Sequence, residues 1–151
     1  MSYFNSMNIA ASGLTAQRLR MDTIAENIAN VNTTRTADGG PFQRRVPLFE
    51  EINDQDPFSI IFGQMFGNMP AHQGRGVRVT QIVRDETPGL LKYEPTHPDS
   101  DEYGYVRLPN INIVEEMVNM ISATRSYEAN ITSMQNSRHI AQRTLEIGQG
   151  R

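Results

Sequence analysis

IVEEMVNMISATRSYEANITSMQNSRHIAQRTLEI, residues 113–147, decides the fold, because its apolar residues return three and four positions apart with no proline or glycine between them. Read as one helix, it places Ile113, Met117, Met120, Thr124, Tyr127, Ile131, Met134, Ala141 and Leu145 on one stripe, broken only by Arg138. That spacing keeps a seam turned toward a partner helix. The other end of the chain repeats it. Phe4, Met7, Ala11, Leu14, Met21, Ala25 and Ile28 form a second stripe, broken by Arg18. Two such seams predict that the terminal segments pair with each other, with another copy or with another protein. The pattern belongs to a molecule that assembles.

Working inward, the first helix is predicted from about Ser2 to Asn30, with Gly13 weakening it by roughly 1 kcal/mol. It is expected to end at Asn30-Val31-Asn32, where asparagine tolerates the left-handed conformation of a helix terminus. The second helix follows Pro109, with Asn112 as its cap and Glu115 completing a capping box. Between the helices, Gln43–Phe49, Val77–Val83, Leu90–Tyr93 and Tyr105–Leu108 carry β-branched and aromatic residues separated by Gly76, Pro88-Gly89 and the run Pro95–Gly104. They predict a small antiparallel β region. Residues 54–75 read as an insertion, with Phe62-Gly63-Gln64-Met65 echoed by Phe66-Gly67-Asn68-Met69 as an apolar arm or a loop. The expected fold is mainly α with a small β part: an antiparallel two-helix coiled coil from residues 1–32 and 109–151, and a middle β and loop region over 33–108.

Composition narrows the function. With 38% apolar and 7% aromatic residues, no tryptophan and 8 methionines, the chain of 151 residues is lean for a rigid core. Methionine suits adaptable helix seams. A net charge of −3, with Lys92 the only lysine, gives no basic surface for nucleic acid. Cysteine is absent, which removes disulfides and thiolate metal sites. The start, Met1–Ile9, has neither the basic residues nor the apolar run of a cleaved secretory signal, and the apolar cluster at Phe58–Phe66 is too short to cross a bilayer.

Candidate chemistry is thin. His72, His97 and His139 stand in three unlike segments, and none has a second ligand at helical spacing. Asp99-Ser100-Asp101-Glu102-Tyr103-Gly104 partly matches a calcium loop, but Tyr103 and Asn110 stand where ligands are needed, so a solvated turn accounts for it better. No catalytic set, cofactor site or metal site is expected. A small hydrolase using His97, Asp99 and Asp101 and a cytoplasmic coiled-coil adaptor or export chaperone are the competing readings.

Two stretches go beyond pattern. Asn27-Ile28-Ala29-Asn30-Val31-Asn32-Thr33 closes the first helix, and Arg125-Ser126-Tyr127-Glu128-Ala129-Asn130-Ile131 lies within the second, preceded by Glu116-Met117-Val118-Asn119-Met120-Ile121. Together they closely resemble the terminal segments of bacterial flagellar axial proteins, the rod, hook and hook-associated family. Tyr93-Glu94-Pro95, His97-Pro98-Asp99, Gly104-Tyr105-Val106 and Pro109-Asn110, with the short length, resemble its proximal-rod members in particular. The resemblance implies a non-catalytic subunit assembling helically into a drive shaft and export channel in the basal body. Its motif residues would be Asn27, Ala29, Asn30, Asn32, Thr33, Arg125, Ser126, Tyr127 and Asn130. Its partners would be copies of itself, other rod subunits, ring or export-gate proteins and, in transit, the type III export apparatus. Neighbouring subunits would cover Ile24 and Val31 on the first helix and Val114, Val118 and Ile121 on the second.

Overall fold

The computed structural model describes residues 3–52 and 75–148. Among the described residues two helices carry the fold: α1, Tyr3–Ala29, and α2, Ile113–Gly148. At 1.5 Å per residue they are rods of roughly 40 and 54 Å. They run antiparallel, with Gly13 beside Asn130, Met21 beside Thr124 and Asn27 beside Glu116. The apolar arm at Phe62–Met69 lies outside the described residues.

Among the described residues the β region is two separate hairpins. In the first, β1 (Arg45–Glu51) pairs antiparallel with β2 (Val77–Arg84), from Arg45 opposite Arg84 to Glu51 opposite Val77, with a bulge between Leu48 and Phe49. In the second, β3 (Leu91–Tyr93) pairs antiparallel with β4 (Tyr105–Arg107). Tyr93 and Tyr105 stack edge to face there, ring centroids 5.2 Å apart, above a turn that Asp101 closes by accepting the Tyr103 and Tyr105 amides. Such aromatic cross-strand pairs help hold a very short ribbon.

The first hairpin docks on α1. The Ser12 hydroxyl donates to the Ile9 carbonyl at 2.7 Å and accepts the Val77 amide at 3.1 Å, tying the start of β2 to the helix. Gly76 has φ +115°, and a Cβ there would collide with Ser12, so only glycine allows this approach. Ala10, Ala16 and Ile24 are buried on α1, Ala123 on α2 and Val106 on β4.

Two details differ from the sequence expectation. Asn30-Val31-Asn32 does not enter the left-handed region, since no described non-glycine residue has positive φ. The helix ends instead in a turn, where the Asn30 side chain donates to the Glu26 carbonyl and accepts the Thr33 hydroxyl. Ile24, expected to await a neighbouring subunit, is covered from within and lines a groove with Val46, Pro47 and Phe49.

Candidate assembly surface and its polar joint

The helix pair is built on small and polar residues. On α1 the buried positions are Ala10, Gly13, Ala16, Thr23, Ile24 and Asn27; on α2 they are Glu116 and Ala123. Close approach explains the choice. A Cβ added at Gly13 would lie 2.9 Å from the Asn130 amide nitrogen, so Asn130 packs directly on the α1 backbone. Thr124 donates to the Met120 carbonyl at 2.9 Å and touches the Met21 sulfur at 3.6 Å across the seam.

One end of the pair is locked by a polar joint. Glu116, in the first turns of α2 and 1% exposed, faces the last turns of α1, where Asn27 is also 1% exposed. A carboxylate near a helix N-terminus is favoured by the backbone dipole. Arg44 reaches one carboxylate oxygen through Nε at 2.8 Å and Nη2 at 2.7 Å, and the Asn27 amide donates to the other at 3.1 Å. Asn27 also exchanges two 2.9 Å bonds with the Arg45 backbone, donating to its carbonyl and accepting its amide. The side chain thereby acts as one more strand partner for β1.

Asn110 extends the joint, accepting the Arg44 amide at 2.9 Å and donating to the Asp85 carbonyl at 3.1 Å. The Thr87 hydroxyl at 2.6 Å and the Thr87 amide at 3.0 Å hold the Asp85 carboxyl below its ordinary value, with the Arg44 charge adding to them. A charge as buried as that of Glu116 is sustained only when paired and hydrogen-bonded. The joint brings α1, β1, the end of β2 and α2 to one point.

Many apolar residues of the two predicted stripes lie outside this interior. Met7, Ala11, Leu14, Met21 and Ile28 on α1, and Met120, Thr124, Tyr127, Ile131, Met134 and Ala141 on α2, are half-buried. Phe4, Ala25, Ile113, Met117 and Leu145 are exposed. Ile113, Val114, Met117, Val118 and Ile121 form an exposed apolar band over the first turns of α2, each between 46% and 69% accessible. Ile140, Leu145 and Ile147 are exposed at its other end. Of the motif residues, Asn27 and Asn30 make the bonds above, Tyr127 is half-buried, and Ser126 donates to the Ser122 carbonyl. Thr33 is half-buried, and Ala29, Asn32 and Arg125 face solvent.

The residues of the hydrolase reading are occupied in loop structure. His97 Nδ1 accepts the Asp99 amide, the Asp99 carboxylate takes the Thr34 hydroxyl at 2.8 Å and pairs with Arg35, and Asp101 closes the β3–β4 turn. His139 is exposed on α2, and His72 lies outside the described residues.

Known proteins share this sequence along nearly its full length. A flagellar basal-body rod protein FlgC of Borreliella burgdorferi is 48% identical, covering 99% of this chain and 100% of its own length. The chain belongs to the FlgC family of flagellar basal-body rod proteins. FlgC proteins of Aquifex aeolicus, at 45% over 97% of both chains, and of Bacillus subtilis, at 40% over 98% and 99%, agree. A model for flagella basal body rod proteins matches residues 7–35, and one for the C-terminal part of the rod FlgEFG proteins matches residues 103–147. The two matched segments contain Asn27 and Glu116, the two halves of the joint.

Sequence reasoning passed over Glu116 as a site residue and did not single out Arg44, Arg45 or Asp85. The available signal was a second glutamate between Val114 and Met117 in an otherwise apolar turn, a place where a charge needs a partner.

Proposed function

We propose that this protein is a structural subunit of the proximal rod of the bacterial flagellar basal body, packing helically with copies of itself and with other rod subunits, without catalysis. The observation that carries the reading is the near full-length identity to FlgC proteins. The fold supports it. A helix pair closed largely by small residues leaves a band of large apolar side chains exposed at the start of α2, where neighbouring subunits would cover Val114, Met117, Val118 and Ile121. Exposed apolar bands of this kind mark interaction sites. Phe4, Ile113 and Leu145 belong to the same outer set, whereas Ala11, Leu14, Met21, Ile28, Tyr127, Ile131 and Met134 serve the pair itself and its rim.

The polar joint would fix the angle between the helix pair and the first hairpin, giving each subunit one shape to repeat. Ring or export-gate proteins would meet the subunit at the rod base, and the type III apparatus would carry it out of the cytoplasm without a cleaved signal. No described helix is long and apolar enough to cross a membrane. The adaptor or export-chaperone alternative finds no support among the family matches. Val118→Asp tests the reading. A folded variant that no longer enters basal bodies supports it, and normal motility of cells carrying only the variant contradicts it.

A further inference from the structure

With no cysteine, the chain's sulfur is all methionine, and five of the eight residues stand on the two helices: Met7 and Met21 on α1, Met117, Met120 and Met134 on α2. Met117 is 54% exposed and the other four are half-buried along the pair. Met21 is distinguished by its neighbours. Its thioether lies 3.6 Å from the Thr124 hydroxyl, whose proton is already directed to the Met120 carbonyl at 2.9 Å. We propose that Met21 is a peroxide-sensitive modification site whose conversion to methionine sulfoxide loosens the helix pair.

In the reaction the sulfur lone pair attacks one oxygen of hydrogen peroxide and the O–O bond breaks. The attacked oxygen stays on sulfur and passes its proton to the departing hydroxide, giving the sulfoxide and water, so the sulfur loses two electrons and the peroxide gains them. A flexible apolar side chain becomes polar and chiral, a change that disrupts methionine-lined interfaces. The geometry sharpens the consequence. A thioether is a weak acceptor and tolerates a shared proton, whereas the sulfoxide oxygen is a strong one. Thr124 has one proton for two acceptors, so satisfying the sulfoxide strips the Met120 carbonyl of that bond. Partial exposure gives peroxide access without unfolding. The inference concerns the helix pair of a single chain and is independent of the rod reading.

The test treats the purified full chain with graded hydrogen peroxide, maps sulfoxide at each methionine by peptide mass spectrometry, and follows thermal unfolding by circular dichroism. The melting temperature is expected to fall by about 5 °C or more as Met21 fills. Methionine sulfoxide reductases should restore it, and Met21→Leu should remove most of the loss. Full conversion of Met21 with an unchanged melting temperature would overturn the proposal. So would a Met21→Leu chain that loses as much as the parent. If leucine itself disturbs the packing, the parent chain decides: a shift tracking sulfoxide at Met117 instead of Met21 overturns it, and one tracking Met21 supports it.

Discussion

Glu116→Gln is the sharpest single perturbation of this fold. Both oxygens of the Glu116 carboxylate accept hydrogen bonds, one from Arg44 and the other from the Asn27 amide. Glutamine keeps the size but presents an NH2 group on one side, so one donor must face another donor. The Arg44 guanidinium also loses its counter-charge while 27% exposed. Breaking a fully buried pair costs about 3–5 kcal/mol, and losing a charge-assisted hydrogen bond about 1.5–3. Partial exposure of Arg44 places the expected loss near the overlap, about 3 kcal/mol. For a chain of this length that lowers the melting temperature by about 6–12 °C. Far-UV circular dichroism of the parent, Glu116→Gln and Glu115→Gln measures it, since Glu115 is exposed one residue away and should shift stability by less than about 0.5 kcal/mol. Arg44→Met combined with Glu116→Gln should cost less than the sum of the two single changes. A Glu116→Gln chain as stable as Glu115→Gln would refute the reasoning.

Further expectations follow from the same geometry. Gly13→Ala should forfeit the roughly 1 kcal/mol that alanine normally gains in a helix, because its Cβ meets Asn130, and adding Asn130→Ala should recover it. Denaturant titration of both chains checks this, and a full gain with Asn130 present would contradict it. The Asp85 carboxyl titrates below its ordinary value of 3.8, so its contribution is present above that pH and fades as pH falls through the lowered value. Thr87→Val should move the Asp85 titration upward toward the ordinary value, read by carboxyl NMR, and an unmoved titration would remove Thr87 as the cause. Ile131→Asp, half-buried in the pair, should destabilise the monomer, whereas Val118→Asp should leave its stability within about 0.5 kcal/mol of the parent. Equal losses from both would mean that the exposed band is structural.

The elements themselves were legible in the residues. The 3–4 spacing marks both helices to within a residue or two of Tyr3–Ala29 and Ile113–Gly148, and the four punctuated β-branched or aromatic runs correspond to the four strands among the described residues. The contact face was less legible, for a physical reason. Apolar periodicity locates surfaces that need cover, and on the proposed reading much of that cover would come from neighbouring subunits. The inner face needs close backbone approach, which Ala10, Gly13, Ala16 and Ala123 supply with little hydrophobic signal. Glu116 and Asn27 are buried because each is satisfied, Asn27 by Glu116 and the Arg45 backbone and Glu116 by Asn27 and Arg44, a relation between segments far apart in sequence. The pairing of β1 with β2 likewise joins segments far apart in sequence, which no local pattern encodes.

The most direct test of the central claim is location: detergent-resistant basal bodies isolated from cells making this protein, probed for the chain itself. The account predicts that it is found there, in rods that terminate early when its gene is removed. Its presence only as a soluble cytoplasmic species, with complete rods in its absence, would contradict the account.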